Sequence, residues 1–529
     1  MNILSRKKLM IPLLLSLIFI SQLCFADSAP MTWKPCDIDP HFQCTSIPVP
    51  KDYSHPKRET ISIAVAKHSA TSTKFGTLIF NTGGPWSDDT ASVQYMFSEL
   101  SDPIKEHFDL IGFAPRGVGL NPITCHTDQI DAEHEIERDL NLTYMNSEAG
   151  AQHDYELILK KRNLCQYDSL SQYANSKNTV RDLNEIRKAL GIDKIDYVGG
   201  SYGTRLGLAY LVNYPEHVDR MVLDANLAPN NNSIDYFTGT APAIEATLQH
   251  FIEQCVASGN KCAINRGSKF ETQQALERLI KQAETTGIPT SAIYKHRPFS
   301  AQMLMYIIIS AMGEQGAWPD LANMLNQAIM NNNADKLMKN YSAMTSYNPI
   351  NDHFKHYDDA AVFDSVFCTD YIFPPWMQQE QTWLATMRNL RKQYPLVGGM
   401  WSTYCAKECI RWPVKSEPLL PNVVKPFVGV NPKILLVSNA YDNTTPAQWS
   451  HEVSSYLDKI NVENKVLTWL GSGHIAYHAN APLNGCVDTA VDQFLITGQL
   501  PSINICNDGI NPFTDNINNH VSKKWLKIN

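Results

Sequence analysis

The sequence predicts an α/β protein built on a mostly parallel sheet. Three observations carry that expectation. Short β-branched runs alternate with helical patterns in both the first half and the last hundred residues of the chain. Those runs are mostly apolar, as strands buried on both faces are. One of them leads through glycines into Ser201 and at once into a helical stretch. Composition agrees: 43% hydrophobic and 19% charged residues in 529 exclude disordered and fibrous classes. A net charge of −8 without long basic runs excludes nucleic acid as the main partner.

The first element is a leader. Arg6, Lys7 and Lys8 precede the apolar run Leu9 to Phe19, and Ala26 offers a small residue for cleavage. Residues 1–26 therefore read as a signal peptide, and the mature chain as secreted or periplasmic. A membrane anchor is the alternative, but the run falls short of the ~20 apolar residues a span needs. Of the 12 cysteines, Cys24 leaves with the leader, and the rest read as disulfide formers in an oxidising compartment. Local spacing favours Cys36–Cys44 and Cys255–Cys262, then Cys125–Cys165 and Cys486–Cys506. Cys368, Cys405 and Cys409 compete for one further bridge, with Cys368–Cys409 held as the fifth pair. No Cys-x-x-Cys pair is present, so no zinc or other metal site is expected.

Strands are expected at Ile61–Ala66, Thr77–Asn81, Phe108–Phe113, Ile195–Val198, Arg220–Asp224, Lys433–Ser438 and Lys465–Leu470. Helical patterns follow at Val180–Leu190, Thr204–Tyr214 and Pro446–Leu457. From about Asn230 to Val423 the rhythm breaks into mostly helical pattern, including Ala301–Met312 and Leu321–Met338. The sheet resumes after it. The expected organisation is a sheet core over 27–229, a helical lid inserted over 230–423, and the rest of the core over 424–529.

The chemistry lies at three strand ends. Gly199-Gly200-Ser201-Tyr202-Gly203 is a Gly-x-Ser-x-Gly turn between a strand and a helix. Such a turn is too tight for side chains beside the serine, and it lifts Oγ above the sheet. Serine is a poor nucleophile without a base. In chain order the acid and the base should follow it, and Asp442 and His474 stand after the last two expected strands, where open α/β sheets bind ligands. Asp224 is the rival acid and His478 the rival base. Asp442 as the maker of its own turn is the structural alternative. Two N–H donors must meet the oxyanion: Tyr202, next to the nucleophile, and Gly84 in Asn81-Thr82-Gly83-Gly84-Pro85-Trp86, with Trp86 second. The chemistry calls for no cofactor.

These residues together resemble the secreted tripeptidyl-aminopeptidase and proline-iminopeptidase group of α/β-hydrolase serine peptidases. The likeness runs through Asn81 to Pro85, Phe108 to Gly119, Gly200 to Thr204, Asp442 to Pro446, Gly473-His474 and Cys486 to Cys506. It implies the α/β-hydrolase fold, peptide substrates cut at their N-termini, and an anion under the lid for the substrate α-ammonium. Cys368-Thr369-Asp370 resembles a Cys-x-Asp element of that lid, which makes Asp370 the candidate. Three departures stand out. Trp86-Ser87-Asp88 replaces glycines after Pro85. Ala114 replaces an aspartate, which would leave Arg116 without its usual partner. Ala228-Pro229 replaces Asp-Pro. A carboxylesterase or lipase using the same triad is the alternative reading.

Overall fold

The structure is a computed structural model, and it describes residues 31–143, 147–354, 359–396, 407–421, 424–480, 482 and 485–515. The expected signal peptide 1–26 and Cys405 lie outside the described residues. Ten strands form the sheet: β1 (Lys34–Pro35), β2 (Gln43–Pro50), β3 (Thr60–His68), β4 (Gly76–Asn81), β5 (Phe108–Phe113), β8 (Ile195–Gly200), β9 (Val218–Asp224), β12 (Lys433–Tyr441), β13 (Glu463–Ser472) and β14 (Ile505–Cys506). Two short antiparallel pairs lie off the sheet, β6 (Cys125–His126) with β7 (Gln166–Tyr167), and β10 (Tyr347–Asn348) with β11 (His353–Phe354).

The sheet order is β1-β2-β3-β5-β4-β8-β9-β12-β13-β14. From β5 to β14 every neighbouring pair is parallel, whereas β1, β2, β3 and β5 pair antiparallel. The parallel strands are covered on both sides. In β4, Leu78 and Phe80 pack into one core and Ile79 into the other; Ile434 and Leu436 of β12 oppose Leu435 and Val437 in the same way. That alternation between two apolar layers is why these strands read as continuous hydrophobic runs. Chain order reverses about β4: β5 lies on one side of it and β8 on the other. The crevice outside the carboxyl ends of β4 and β8 is therefore the topological switch point, where α/β folds bind ligands.

Between β9 and β12 the chain builds a third, mostly helical core. Its helices Ser233–Ala257, Lys269–Thr285, Ala301–Met312, Trp318–Asn331 and Asp335–Thr345 bury Leu304, Ile307, Ile308, Trp318 and Leu325 among themselves. The expected single helix Leu321–Met338 is two. The first ends where Asn332 adopts φ +48°, and the second starts at Asp335. The asparagine run at 331–333 supplies the left-handed residue that ends a helix, which hydrophobic periodicity does not register. Both ends of this segment are clamped by one side chain: Asn231 donates from Nδ2 to Leu420 O (2.7 Å) and accepts at Oδ1 from Leu420 N (3.3 Å).

Disulfides join Cys36–Cys44, Cys255–Cys262, Cys368–Cys409 and Cys486–Cys506. Cys165 is also disulfide-bonded; the Cys125 side chain lies outside the described residues. Among the described residues no helix is long and apolar enough to cross a membrane. Arg116 is not left unpaired by Ala114. Its guanidinium, fully buried, makes a two-point contact with Asp182 (Nε to Oδ2 2.7 Å, Nη2 to Oδ1 2.6 Å) and donates to Lys51 O.

Candidate active site

The site begins with backbone. Ser201 sits between β8 and the helix Tyr202–Asn213 at φ +53°, ψ −122°, a region where side-chain-bearing residues are rare. Its amide donates to Asp224 O (2.9 Å) on the neighbouring strand. The flanking glycines are demanded by close approach. A Cβ at Gly203 would collide with the Asn81 carbonyl oxygen, and one at Gly200 would lie 2.9 Å from Ile475 Cδ1. Thus Gly203 abuts the end of β4, and Gly200 abuts the residue after His474.

The Asn81-to-Trp86 segment lies against this turn. A Cβ at Gly83, where φ is +97°, would stand 2.5 Å from Gly200 O and 2.7 Å from Tyr202 N. Gly84 also has positive φ (+100°), so its conformation suits only glycine well. Asp89, the first residue of the helix Asp89–Met96, anchors the segment. It accepts from Asn81 Nδ2 (2.8 Å), Thr82 N (3.0 Å) and Thr82 Oγ1 (2.6 Å). Burial pushes its pKa up to about 7 against those hydrogen bonds. Sequence reasoning passed over Asp89. Its only sequence signal is an acid in the first turn of a helix, and Asp88 beside it makes the cap.

Asp442 and His474 meet. His474 Nδ1 lies 3.0 Å from Asp442 Oδ2 and 3.2 Å from Oδ1. Asp442 also makes its own turn, accepting from Thr444 N and Thr445 N (2.8 Å each) and from Thr445 Oγ1 (2.8 Å). The turn-forming and histidine-orienting readings are thus one arrangement, because the same hydrogen bonds that shape the turn aim the carboxylate. Burial alone would lower the His474 pKa. The Asp442 carboxylate, and less strongly Asp224, raise it above its ordinary value. His478, the rival base, is buried; its amide donates to Asp488 Oδ1 (3.1 Å), and its ring faces Asp488 Oδ2 at 3.3 Å.

The loop bearing His474 is held from the inserted helices. His474 N donates to Gly313 O (2.8 Å). Asn480 donates from Nδ2 to His474 O (2.7 Å), Ile475 O (3.0 Å) and Gly313 O (3.2 Å), and accepts at Oδ1 from Gln315 N (3.1 Å). Gln315 Oε1 accepts from Ser472 N (2.8 Å), and Asn443 Nδ2 donates to Ile309 O (3.0 Å). Asn480 and Gln315 carry no sequence signal, since they bond mainly to backbone atoms, some of them far away in the chain.

Asp370 differs from its expectation. It is fully buried, with Oδ1 accepting from Ser176 N (3.1 Å) and Oδ2 from Tyr202 Oη (2.7 Å). A carboxylate enclosed in this way offers no face to an incoming ammonium. The Cys-x-Asp spacing places it at the end of the helix Asp359–Asp370, where it holds the ring of the residue after Ser201. Arg205 completes this underside, donating to Asn230 O (2.7 Å), Asn231 Oδ1 (2.8 Å) and Asp370 O (3.3 Å) and stacking 4.3 Å from the Tyr371 ring centroid.

A ten-stranded, mostly parallel sheet with a serine turn at its switch point is the architecture of an α/β-hydrolase. The family described as "alpha/beta hydrolase fold" matches residues 76–267, and the family described as "TAP-like protein" matches residues 394–506. Serine protease Hip1 of Mycobacterium tuberculosis is 25% identical over 489 residues, covering 89% of this chain and 90% of that one. A tripeptidyl aminopeptidase of Streptomyces lividans is 26% identical over 496 residues, 90% of this chain and 86% of that one. Carboxylesterase B of Mycobacterium tuberculosis is 28% identical over 478 residues, 87% and 85%. The chain has the α/β-hydrolase fold, is similar to tripeptidyl-aminopeptidase-like proteins along most of its length, and is a serine hydrolase.

Proposed function

We propose that the protein is an exported serine exopeptidase that releases tripeptides, or single residues, from peptide N-termini through an acyl-enzyme. The observation that carries the mechanism is the Asp442–His474 hydrogen bond, 3.0 Å, on a loop that packs through Ile475 against Gly200 of the strained serine turn. With Nδ1 committed to Asp442, His474 Nε2 takes the proton of Ser201 Oγ as Oγ bonds to the scissile carbonyl carbon. The carbonyl oxygen, now negative, is met by the N–H groups of Tyr202 and Gly84. Collapse returns the proton from Nε2 to the leaving amine, and water repeats the sequence to free the acyl group. Export is supported by the disulfides, which persist in oxidising compartments.

The peptidase reading draws on the relatives named tripeptidyl aminopeptidase and serine protease. The esterase alternative draws on the relative named carboxylesterase. An exopeptidase must recognise a free α-ammonium, and an unpaired ammonium in a partly dry pocket is costly, so blocking it should matter. The test is a paired series of free and N-acetylated tripeptidyl 4-nitroanilides beside short acyl esters, with Ser201→Ala as control. Acetylation should lower kcat/KM at least tenfold, and Ser201→Ala should remove turnover by several powers of ten. Indifference to acetylation with short esters as the best substrates installs the esterase reading. Undiminished hydrolysis by folded Ser201→Ala overturns the mechanism.

A further inference from the structure

Asp224 stands outside the three side chains assigned above, yet it touches both halves of the site. It ends β9, and it is buried. Its backbone oxygen accepts from Ser201 N (2.9 Å). Its carboxylate oxygen Oδ2 accepts from Ala476 N (2.9 Å) and Tyr477 N (2.7 Å), two and three residues after His474. Oδ1 has no hydrogen-bond partner among the described residues. A buried carboxylate that keeps a negative charge with one oxygen unsatisfied is expensive, and folds retain such groups where the charge has use.

We propose that Asp224 is a positioning residue for the acyl transfer: it ties the serine turn to the histidine loop and sets a second negative charge beside the imidazolium that forms on His474. The proposal rests on the Ser201–His474–Asp442 reading. The geometry explains why one residue can do both. Gly200 and Asp224 are paired in register on β8 and β9, so the end of β9 lies beside the nucleophile. The next residue, Ala225, takes φ +61° and donates its amide to Val437 O (3.1 Å), which turns the chain away and leaves the Asp224 carboxylate under residues 476–477. Any shift of that loop relative to the serine turn must stretch one of these three bonds. Charge adds to position. Asp224 is among the groups that raise the His474 pKa, and burial pushes its own pKa up to about 6. The other titratable groups around this junction are Asp442 on β12's outgoing loop, Asp488 and Asp492 behind Tyr477 and His478, and Glu314, whose backbone bridges to Gly473 from the inserted segment.

The test measures the rate of Ser201 labelling by a fluorophosphonate against pH, in the full chain, for wild type, Asp224→Asn and Asp224→Ala, with thermal unfolding as the folding check. Asparagine keeps an oxygen for the two amides and removes the charge. Its acidic limb should move to lower pH, because His474 loses a charge that raises its pKa, and its plateau rate should fall about tenfold. Alanine should lose more of the plateau, because the two amides lose their acceptor. An Asp224→Asn limb that coincides with wild type overturns the proposal. Labelling that survives Ser201→Ala would instead overturn the mechanism on which the proposal stands.

Discussion

The two halves of the site are held in place by different means. The serine half is local. Gly199, Gly200, Gly203 and the strained φ of Ser201 all fall within five residues; Gly199 makes room for the Gly203 backbone and Gly203 for the end of β4, and only Gly200 reaches the histidine loop, at Ile475. The histidine half is assembled from afar. Gly313, Gln315, Asp224 and Asn480 hold the residues around His474, and Gly313 and Gln315 belong to the inserted helices. The first half is built into the sheet. The second depends on the insertion being docked. His474 is therefore placed in part by the inserted segment, and movement of that segment at Gly313 would disturb it.

The contrast breaks most sharply at Gly203. A methyl group there meets the backbone oxygen of Asn81 and stands 2.6 Å from Asn81 Oδ1, itself a neighbour of the Asp89 anchor. Backbone on both sides gives little, so Gly203→Ala should cost ~1–3 kcal/mol in stability, or more, through overpacking. Thermal unfolding should shift down by several degrees, and Ser201 labelling should fall by two or more powers of ten. A variant as stable and as reactive as wild type would show that the turn tolerates a Cβ and that its rigidity is not what presents the serine.

A middle-sized effect belongs to the histidine half. Asn480→Ala removes three donated bonds and one accepted bond, leaving buried backbone groups unsatisfied at ~1–3 kcal/mol each before relaxation. The sheet should stay folded, since the lost bonds join loops. The expected result is a ten- to hundredfold fall in kcat with a smaller change in KM, because the base is misplaced while the peptide pocket survives. Loss in KM alone would mean that Asn480 shapes the pocket and leaves the base untouched.

The same contrast decides what the sequence made legible. Features coded within a few residues could be read directly: the serine turn, the apolar strands, the acid and the histidine at successive strand ends. What depended on tertiary register could not. Asp224 looked like a rival acid because strand-end position is visible in sequence and hydrogen-bond partners are not. Asp370 looked like an ammonium partner because Cys-x-Asp spacing does not reveal that Tyr202 fills the space before it. The strand Gln43–Pro50 carries Pro48 and Pro50, which argue against a strand by pattern, yet it lies in the antiparallel margin of the sheet, next to the two-residue strand β1. Arg116 found Asp182 across 66 residues, a partner that no local motif announces.

The smallest expected effect tests where the two halves meet. Trp86 follows the proposed oxyanion segment, belongs to the serine half, and is 39% exposed. Its ring packs edge-on to Phe363 of the inserted helix Asp359–Asp370, with centroids 5.3 Å apart, and Phe363 stacks on Phe367 at 5.2 Å. An aromatic edge contact contributes about 0.5–1.5 kcal/mol beyond area burial. Trp86→Gly restores the small residue that the family resemblance leads one to expect there, and it opens the space above Gly84. Because the ring is partly exposed and makes no hydrogen bond in the acid–histidine array, kcat on a small activated substrate should stay within about threefold. The change should appear in KM, rising a few-fold for peptides with large apolar side chains near the scissile bond, which lose an aromatic wall, and staying flat for peptides of glycine and alanine. The measurement is kcat and KM over a set of tripeptidyl 4-nitroanilides that differ only in side-chain size. If Trp86→Gly lowers kcat equally for every substrate, the ring supports the oxyanion segment itself, and the serine half depends on the insertion as much as the histidine half does.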